Sequence, residues 1–349
     1  MKNYLSPIYF FIVIFLMGAN SLTAQSRLDS LLPVRGFCID APRPAGLDSF
    51  IRFIDAELAP RKVNTLIVQI DYHYQFSTHP ELTDSFALSK ADVGRIVSVC
   101  RKNNIRVIPL LDLLGHQSWA NRTGKLLQVY PQFDETPWIS MPEKYVWPNP
   151  EKLYCKSYCP LHPDLHGILF SVIDELCDAF ESNTFHAGMD EVFLLGSEQS
   201  PATKGQDPAA LFARAVNELH KHLVRQRKVE MLMWGDRLIN GQKYEMGEWE
   251  ASKNGTAAAV DMIPKDIIVC PWHYEVKESY PSIPMLLEKG FRVLPAGWKN
   301  VDASKALIAY SQKNGGPKLL GHMFTTWGVK KEELMQFPPL VEGLELLRN

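Results

Sequence analysis

The stretch FHAGMDEVF, residues 185–193, sets Asp190 beside Glu191 at the end of a short apolar run. Charge in an apolar setting is strongly disfavoured, so such groups have either a partner or a chemical task. A protonated carboxyl beside an ionised one can donate a proton to a leaving group while its neighbour stabilises positive charge. Other polar and aromatic residues also fall at the ends of apolar runs. They are Asp40 and Arg43, Asp71, Asp112 and His116, Trp234 and Asp236, Trp272 and His273, Trp298, and Trp327. Tryptophan is amphipathic and rarely fully buried, so several at run ends form an apolar-walled pocket suited to the faces of a sugar ring.

Eight runs read as strands: 34–40, 63–71, 105–112, 184–189, 229–235, 266–272, 291–296 and 318–327. Their unbroken Val, Ile and Leu content predicts strands covered on both faces, as in a parallel sheet. Helical periodicity fills most of the intervals, clearest in KADVGRIVSVCRKN and LHGILFSVIDELCDAF. The connection over 240–265 is ambiguous, and Pro338-Pro339 interrupts the last helix. Alternating units of this kind predict a (β/α)8 TIM barrel, a single α/β domain over 26–349. A doubly wound open sheet is the alternative, but the first strand–helix turn has no glycine-rich phosphate fingerprint. In a barrel the residues above gather at the mouth. The third connection, from Gln117 to about Pro163, is long and carries Trp119, Tyr130, Trp138, Trp147, Tyr154 and Tyr158. It reads as a packed lid, with a self-contained loop cluster or an oligomer contact as the alternative.

Residues 1–25 have one Lys, an apolar stretch and a small-residue exit, the layout of a cleaved secretory signal peptide. An uncleaved N-terminal anchor is the alternative reading. The expected mature chain is exported, periplasmic or secreted, with no membrane association after cleavage. A formal net charge of -2 offers no electrostatic case for nucleic acid. The six cysteines are too sparse for a disulfide-stapled scaffold, and only Cys155 and Cys159 make a tempting pair. A zinc reading of that pair lacks further ligands at suitable spacing. No metal or cofactor is expected, and the sequence leaves the oligomeric state open.

Taken together, the motifs resemble glycoside hydrolase family 20, the β-N-acetylhexosaminidases. The family's His-x-Gly-x-Asp-Glu stands here as HAGMDE, residues 186–191. VRGFCIDAPR resembles its first strand through Arg35, Gly36, Asp40 and Arg43, and DLLGH resembles its third through Asp112 and His116. The resemblance implies a retaining glycosidase acting on a terminal β-N-acetylhexosaminide of a glycan. The substrate's own 2-acetamido oxygen would be the nucleophile, an exception to the two-carboxylate scheme. Glu191 would be the acid/base, and Asp190 would hold the acetamido group. Arg35 would hold sugar hydroxyls and His116 would back the acid/base. Trp234, Trp272 and Trp327 would wall the sugar, with Asp236 within reach of a hydroxyl.

Three departures from the family pattern concern the sugar pocket. The second strand reads QIDYHYQF where the family has His-x-x-Asp-Asp, leaving Asp71 to supply a carboxylate from a shifted position. Trp298 stands where a tyrosine would bond the acetamido oxygen, and Tyr274 could stand in for it. Trp327-Gly328-Val329 lacks the family's last-strand glutamate. Two alternatives follow from these changes: a hydrolase of a different amino sugar or decorated glycan, and a carbohydrate-binding barrel without turnover. Asp40 and Arg43 are also expected to form a buried ion pair.

Overall fold

A computed structural model describes residues 34–347. The expected signal segment lies outside the described residues. Eight strand positions run parallel around one sheet: β1 (Val34–Asp40), β2 (Thr65–Gln69), β3 (Arg106–Leu113), β4 (Thr184–Gly188), β5 (Glu230–Trp234), β6 (Ile268–Cys270), β7 and β8 (Gly321–Thr325). The seventh strand comes in two pieces, Arg292–Val293 and Ala296–Gly297, named together β7. Pro295 separates them and has no N–H to give to the ladder. The segment nevertheless closes the barrel. Leu294 N donates to Val269 O at 3.0 Å on one side, and Met323 N to Pro295 O at 3.0 Å on the other.

Strand parity explains the unbroken apolar runs. Phe37 and Ile39 face the helical layer while Cys38 faces the barrel interior; Leu66 and Val68 flank inward Ile67 in the same way. Both faces are therefore buried, and such a strand is apolar over most of its length. The helices start where the sequence supplies caps. Ser89 Oγ accepts from Asp92 N at 3.2 Å and Asp92 Oδ2 accepts from Ser89 N at 3.0 Å, a capping box that opens Lys90–Lys102. Asp207 accepts from Ala209 N at 3.1 Å ahead of Pro208–His220. The ambiguous interval after β5 forms 3-10 turns, including Thr256–Asp261, rather than an α-helix.

The long third connection is packed. Leu126, Leu127, Phe133 and Tyr158 join the main core. Lys156, buried, donates to Asp134 Oδ2 at 2.6 Å and to Thr136 O at 2.8 Å. Glu135 accepts from Gly196 N at 3.0 Å and from the Thr203 hydroxyl, tying this connection to the one after β4. All six cysteine thiols are buried and free, so Cys155 and Cys159 are not bridged.

The β1–β8 seam depends on Gly321, whose φ of +136° suits glycine alone and where a methyl would overlap the Val34 backbone. Gly321→Ala should lower unfolding stability by about 1–3 kcal/mol in urea titration. Gly316→Ala, with open space around it, should leave the midpoint nearly unchanged.

Candidate functional site

The strand ends bring the chemistry-bearing side chains together at one face of the barrel. After β4 the chain turns sharply through Met189 at φ 75° and Glu191 at φ 50°. His116, at φ 52°, turns just as sharply after β3. Left-handed backbone at non-glycine residues costs about 1–3 kcal/mol each and persists only where surrounding contacts enforce it. The two turns touch: a methyl on Gly115 would overlap the Asp190 carbonyl.

His116 Nε2 lies 3.3 Å from Asp190 Oδ2 and 3.1 Å from Glu191 Oε2. Burial alone would lower the imidazole's pKa. The charge of Asp190 and the hydrogen bonds to both carboxylates more than reverse this, and the ring is held well above its ordinary value. An imidazolium thus bridges the two carboxyl groups. The other oxygen of Asp190, Oδ1, is buried with no hydrogen-bond partner among the described residues.

A second carboxyl pair stands beside this one. Gln69 Nε2 donates to Asp71 Oδ2 at 3.0 Å and to Asp112 Oδ2 at 2.8 Å, and Asp112 N donates to Asp71 Oδ1 at 2.9 Å. Burial, then the charges of Asp71 and Asp190, raise Asp112 well above the carboxylate range.

Asp236 has one oxygen bonded to protein groups. It is 1% exposed, and its Oδ2 accepts from Glu191 N at 3.0 Å and from Arg237 Nε at 2.6 Å. Arg237 in turn donates to Trp249 O at 3.0 Å. On the other side of the same residue, Cys155 Sγ donates to Glu191 O at 3.3 Å. The Glu191 backbone is thus held at both ends by side chains from different connections, which fixes its left-handed turn.

Aromatic rings wall the mouth. Trp234 meets Trp327 at 5.8 Å between centroids, and Trp272 stacks on Tyr274 at 5.0 Å. Trp327 Nε1 donates to Tyr274 OH at 2.8 Å. Trp298 Nε1 donates to Trp327 O at 3.1 Å, so its one polar hydrogen is already used. Burial first, and the charge of Asp190 among lesser causes, push the Tyr274 phenol up, which keeps it a neutral hydroxyl.

Comparison with known proteins fits this arrangement. The profile of "Glycosyl hydrolase family 20, catalytic domain" matches residues 33–301. The chain belongs to glycosyl hydrolase family 20. A beta-hexosaminidase of Emericella nidulans is 25% identical over 295 residues, covering 76% of this chain and 43% of that protein. The chain therefore spans less than half the length of that relative. The X-ray structure of Flavobacterium johnsoniae chitobiase aligns with a TM-score of 0.61 at 18% identity, covering 90% of this chain and 47% of that one. Dispersin B aligns with a TM-score of 0.54 at 16% identity, covering 90% of this chain and 98% of its own. At these identities the two structures speak for the barrel fold.

Within this family 20 barrel, two readings of the first strand change. Arg35 stands at the start of β1, the end away from the mouth, where its Nε donates to Lys62 O at 2.6 Å and its backbone N to Asn64 Oδ1 at 2.9 Å. It braces the strand's beginning and is not gathered with Asp190 and Glu191. Arg43, at the mouth end, is exposed, with its guanidinium 4.8 Å over the Phe86 ring. No Asp40–Arg43 ion pair exists among the described residues. Asp71, His116, Trp234, Trp272, Tyr274, Trp298 and Trp327 do lie at the mouth end. The fold adds Cys155, Arg237 and Trp249. Trp249 packs 4.5 Å from Tyr154 and 5.4 Å from Trp147, uniting the third and fifth connections. The adjacency of Asp236 and Arg237 was the one sequence signal for this clamp.

Burial, opposed by Arg237 and reinforced by Asp190, raises Asp236 from 3.8 to about 6. An acid raised on folding stabilises the native state fully below its unfolded pKa, and this contribution is lost as pH climbs through the folded value. Wild type should therefore lose stability, on the order of 2 kcal/mol, between pH 4 and 6 through this group. Asp236→Asn, less stable overall, should lack that component, as read from urea unfolding across the window. Parallel profiles would refute the assignment.

Proposed function

We propose that this chain is a retaining glycosidase that removes terminal β-linked N-acetylhexosamine with the substrate's 2-acetamido oxygen as nucleophile. The observation that carries the reading is Oδ1 of Asp190, buried at the mouth end with no hydrogen-bond partner among the described residues. A buried acceptor without a donor is costly, and an acetamido N–H is the donor this scheme supplies. The names of the relatives support the same substrate class.

In the proposed cycle the acetamido carbonyl oxygen bonds to the anomeric carbon as the glycosidic bond breaks. Glu191 gives its proton to the departing oxygen. Asp190 accepts the acetamido N–H and offsets the positive charge of the oxazolinium ring. Water then attacks the same carbon, Glu191 takes its proton, and the acetamido group is restored with configuration retained. The His116 imidazolium, within 3.3 Å of both carboxyl groups, favours the carboxylate that Glu191 becomes after donating. Asp236 and Cys155 keep Glu191 aimed while its charge changes. The Tyr274 hydroxyl, not Trp298, is the polar group at the aromatic wall able to meet the acetamido oxygen.

A pair of aryl β-glycosides, one 2-acetamido and one 2-hydroxyl, tests the mechanism. A preference of at least about 10³-fold for the acetamido sugar is expected, because only it carries the internal nucleophile. Equal rates would reject the scheme. Glu191→Gln should cut turnover about 10²–10⁴-fold while sugar binding persists. Turnover by wild type separates this reading from a binding-only barrel. The pocket changes at Trp298 and Val329 favour a second reading within the same chemistry, a different amino sugar or a decorated one, which a substrate panel resolves.

We also infer export from the layout of residues 1–25. N-terminal sequencing of protein from the native host should begin near Gln25 or Ser26; an intact Met1 would overturn cleavage, and recovery of the protein in the cytoplasmic fraction would overturn export.

A further inference from the structure

We propose that His273 is the positioning residue for Tyr274: its buried imidazole ties the chain after β6 to the fifth connection and so sets where the Tyr274 hydroxyl stands relative to Glu191. The inference rests on the function proposed above and adds to it a residue that touches no substrate.

Tyr274 stands beyond the regular ladder. β6 ends at Cys270, and Pro271 has no N–H with which to continue it. Trp272 makes one isolated bridge to Ala296, and His273 N donates to Ala296 O at 3.1 Å. Past that point side chains have to fix the backbone. Trp272 and Tyr274 pack with the residues of the barrel interior. His273, between them, points the other way and is fully buried, 5.2 Å from the Tyr280 ring.

Both nitrogens of this imidazole are used. Nδ1 is bonded to Glu250 Oε2, and Nε2 to the Ser282 hydroxyl at 2.7 Å. Lys277 Nζ donates to Glu250 Oε1 at 2.7 Å. Burial pushes the Glu250 carboxyl up, but the hydrogen bonds and charges of His273 and Lys277 outweigh it and hold the group below its ordinary value. A carboxylate only accepts, so Nδ1 carries the hydrogen of its bond. Carboxylate, imidazole and hydroxyl in this order are the parts of an activated nucleophile. Ser282 is fully buried, however, so no substrate reaches its hydroxyl, and the array acts as a brace.

The far end of the brace gives it a chemical purpose. Glu250 lies in a stretch that Arg237 grips through Trp249 O at 3.0 Å and Ala251 O at 3.3 Å. Arg237 also bonds Asp236, which accepts from Glu191 N. One short segment of the fifth connection is therefore fastened to the acid/base on one side and, through His273, to the chain carrying Tyr274 on the other. In the proposed cycle the acetamido oxygen attacks while Glu191 protonates the leaving oxygen of the same sugar. Both groups must then be held at a fixed spacing, and a displacement of about 1 Å costs on the order of 10²-fold in rate.

A double-mutant cycle on the aryl 2-acetamido β-glycoside tests this. Tyr274→Phe should lower kcat about 10-fold or more. His273→Ala should lower kcat by a similar factor, with KM changed less than about threefold. His273→Asn, whose amide N–H reaches the place of Nδ1, should restore most of kcat. The double variant His273→Ala/Tyr274→Phe should lie within about threefold of Tyr274→Phe alone, because the two changes remove one interaction. Where His273→Ala does not fold, Glu250→Ala cuts the brace at its other end and takes its place in the cycle. Multiplied losses in the double variant would mean that His273 acts elsewhere. Unchanged kcat in the brace variants would mean a structural contact only, and unchanged kcat in Tyr274→Phe would leave nothing to position. Each of these overturns the inference while the hydrolase reading stands; a wild-type protein inactive on the acetamido glycoside would overturn both.

Discussion

Two carboxyl groups set side by side in a poorly hydrated pocket cannot both carry charge cheaply, and the pair demands compensation. The imidazolium of His116 supplies it to both Asp190 and Glu191 through one nitrogen. Much of the local structure follows from bringing that ring to that place. The third connection has to leave β3 in a left-handed turn, and Gly115 has to lack a side chain so that the turn can touch Asp190. The neighbouring carboxyl pair, Asp71 and Asp112, shares the Gln69 amide, and burial pushes the Asp112 carboxyl up. Arg237 then balances Asp236, so the mouth holds many acids with little net repulsion.

Barrel closure is the frame for this arrangement. Eight parallel strands put every strand end on one rim, so groups far apart in sequence meet there without long reaches. The seam at β7 is the least regular part, because Pro295 interrupts the ladder. Closure survives there through backbone bonds to both neighbours. Just beyond the break, Trp298 gives its indole N–H to the Trp327 carbonyl.

The strands were legible because burial on both faces leaves an unmistakable apolar run, and HAGMDE was legible because a charged pair ends such a run. Arg35 was misplaced for a reason also present in the sequence. It precedes Asp40 by five residues, and a strand advances about 3.3 Å per residue, so the two sit near opposite ends of β1. Asp236 was placed at the correct rim without its protein partners. Its orientation is set by Arg237 and by the backbone of Glu191, forty-five positions away, which no local pattern encodes. Trp249 was invisible for a similar reason: the connection carrying it is a series of turns with no periodicity to read.

Glu135 and Lys156 give the long third connection a character that its length conceals. Their carboxylate and ammonium are buried inside it, bonded to Gly196, Thr203, Asp134 and Thr136. Withdrawing the loop would expose the core residues beneath it and part the buried Glu135 from Gly196 and Thr203, while Lys156 would keep its partners and lose its burial. Its opening would therefore approach the unfolding of the whole barrel in free energy, unlike the low-energy excursions of a hinged flap. The segment behaves as part of the wall. The conformational entropy of some forty residues is lost once, during folding, and no share of a sugar's binding energy is consumed in ordering them.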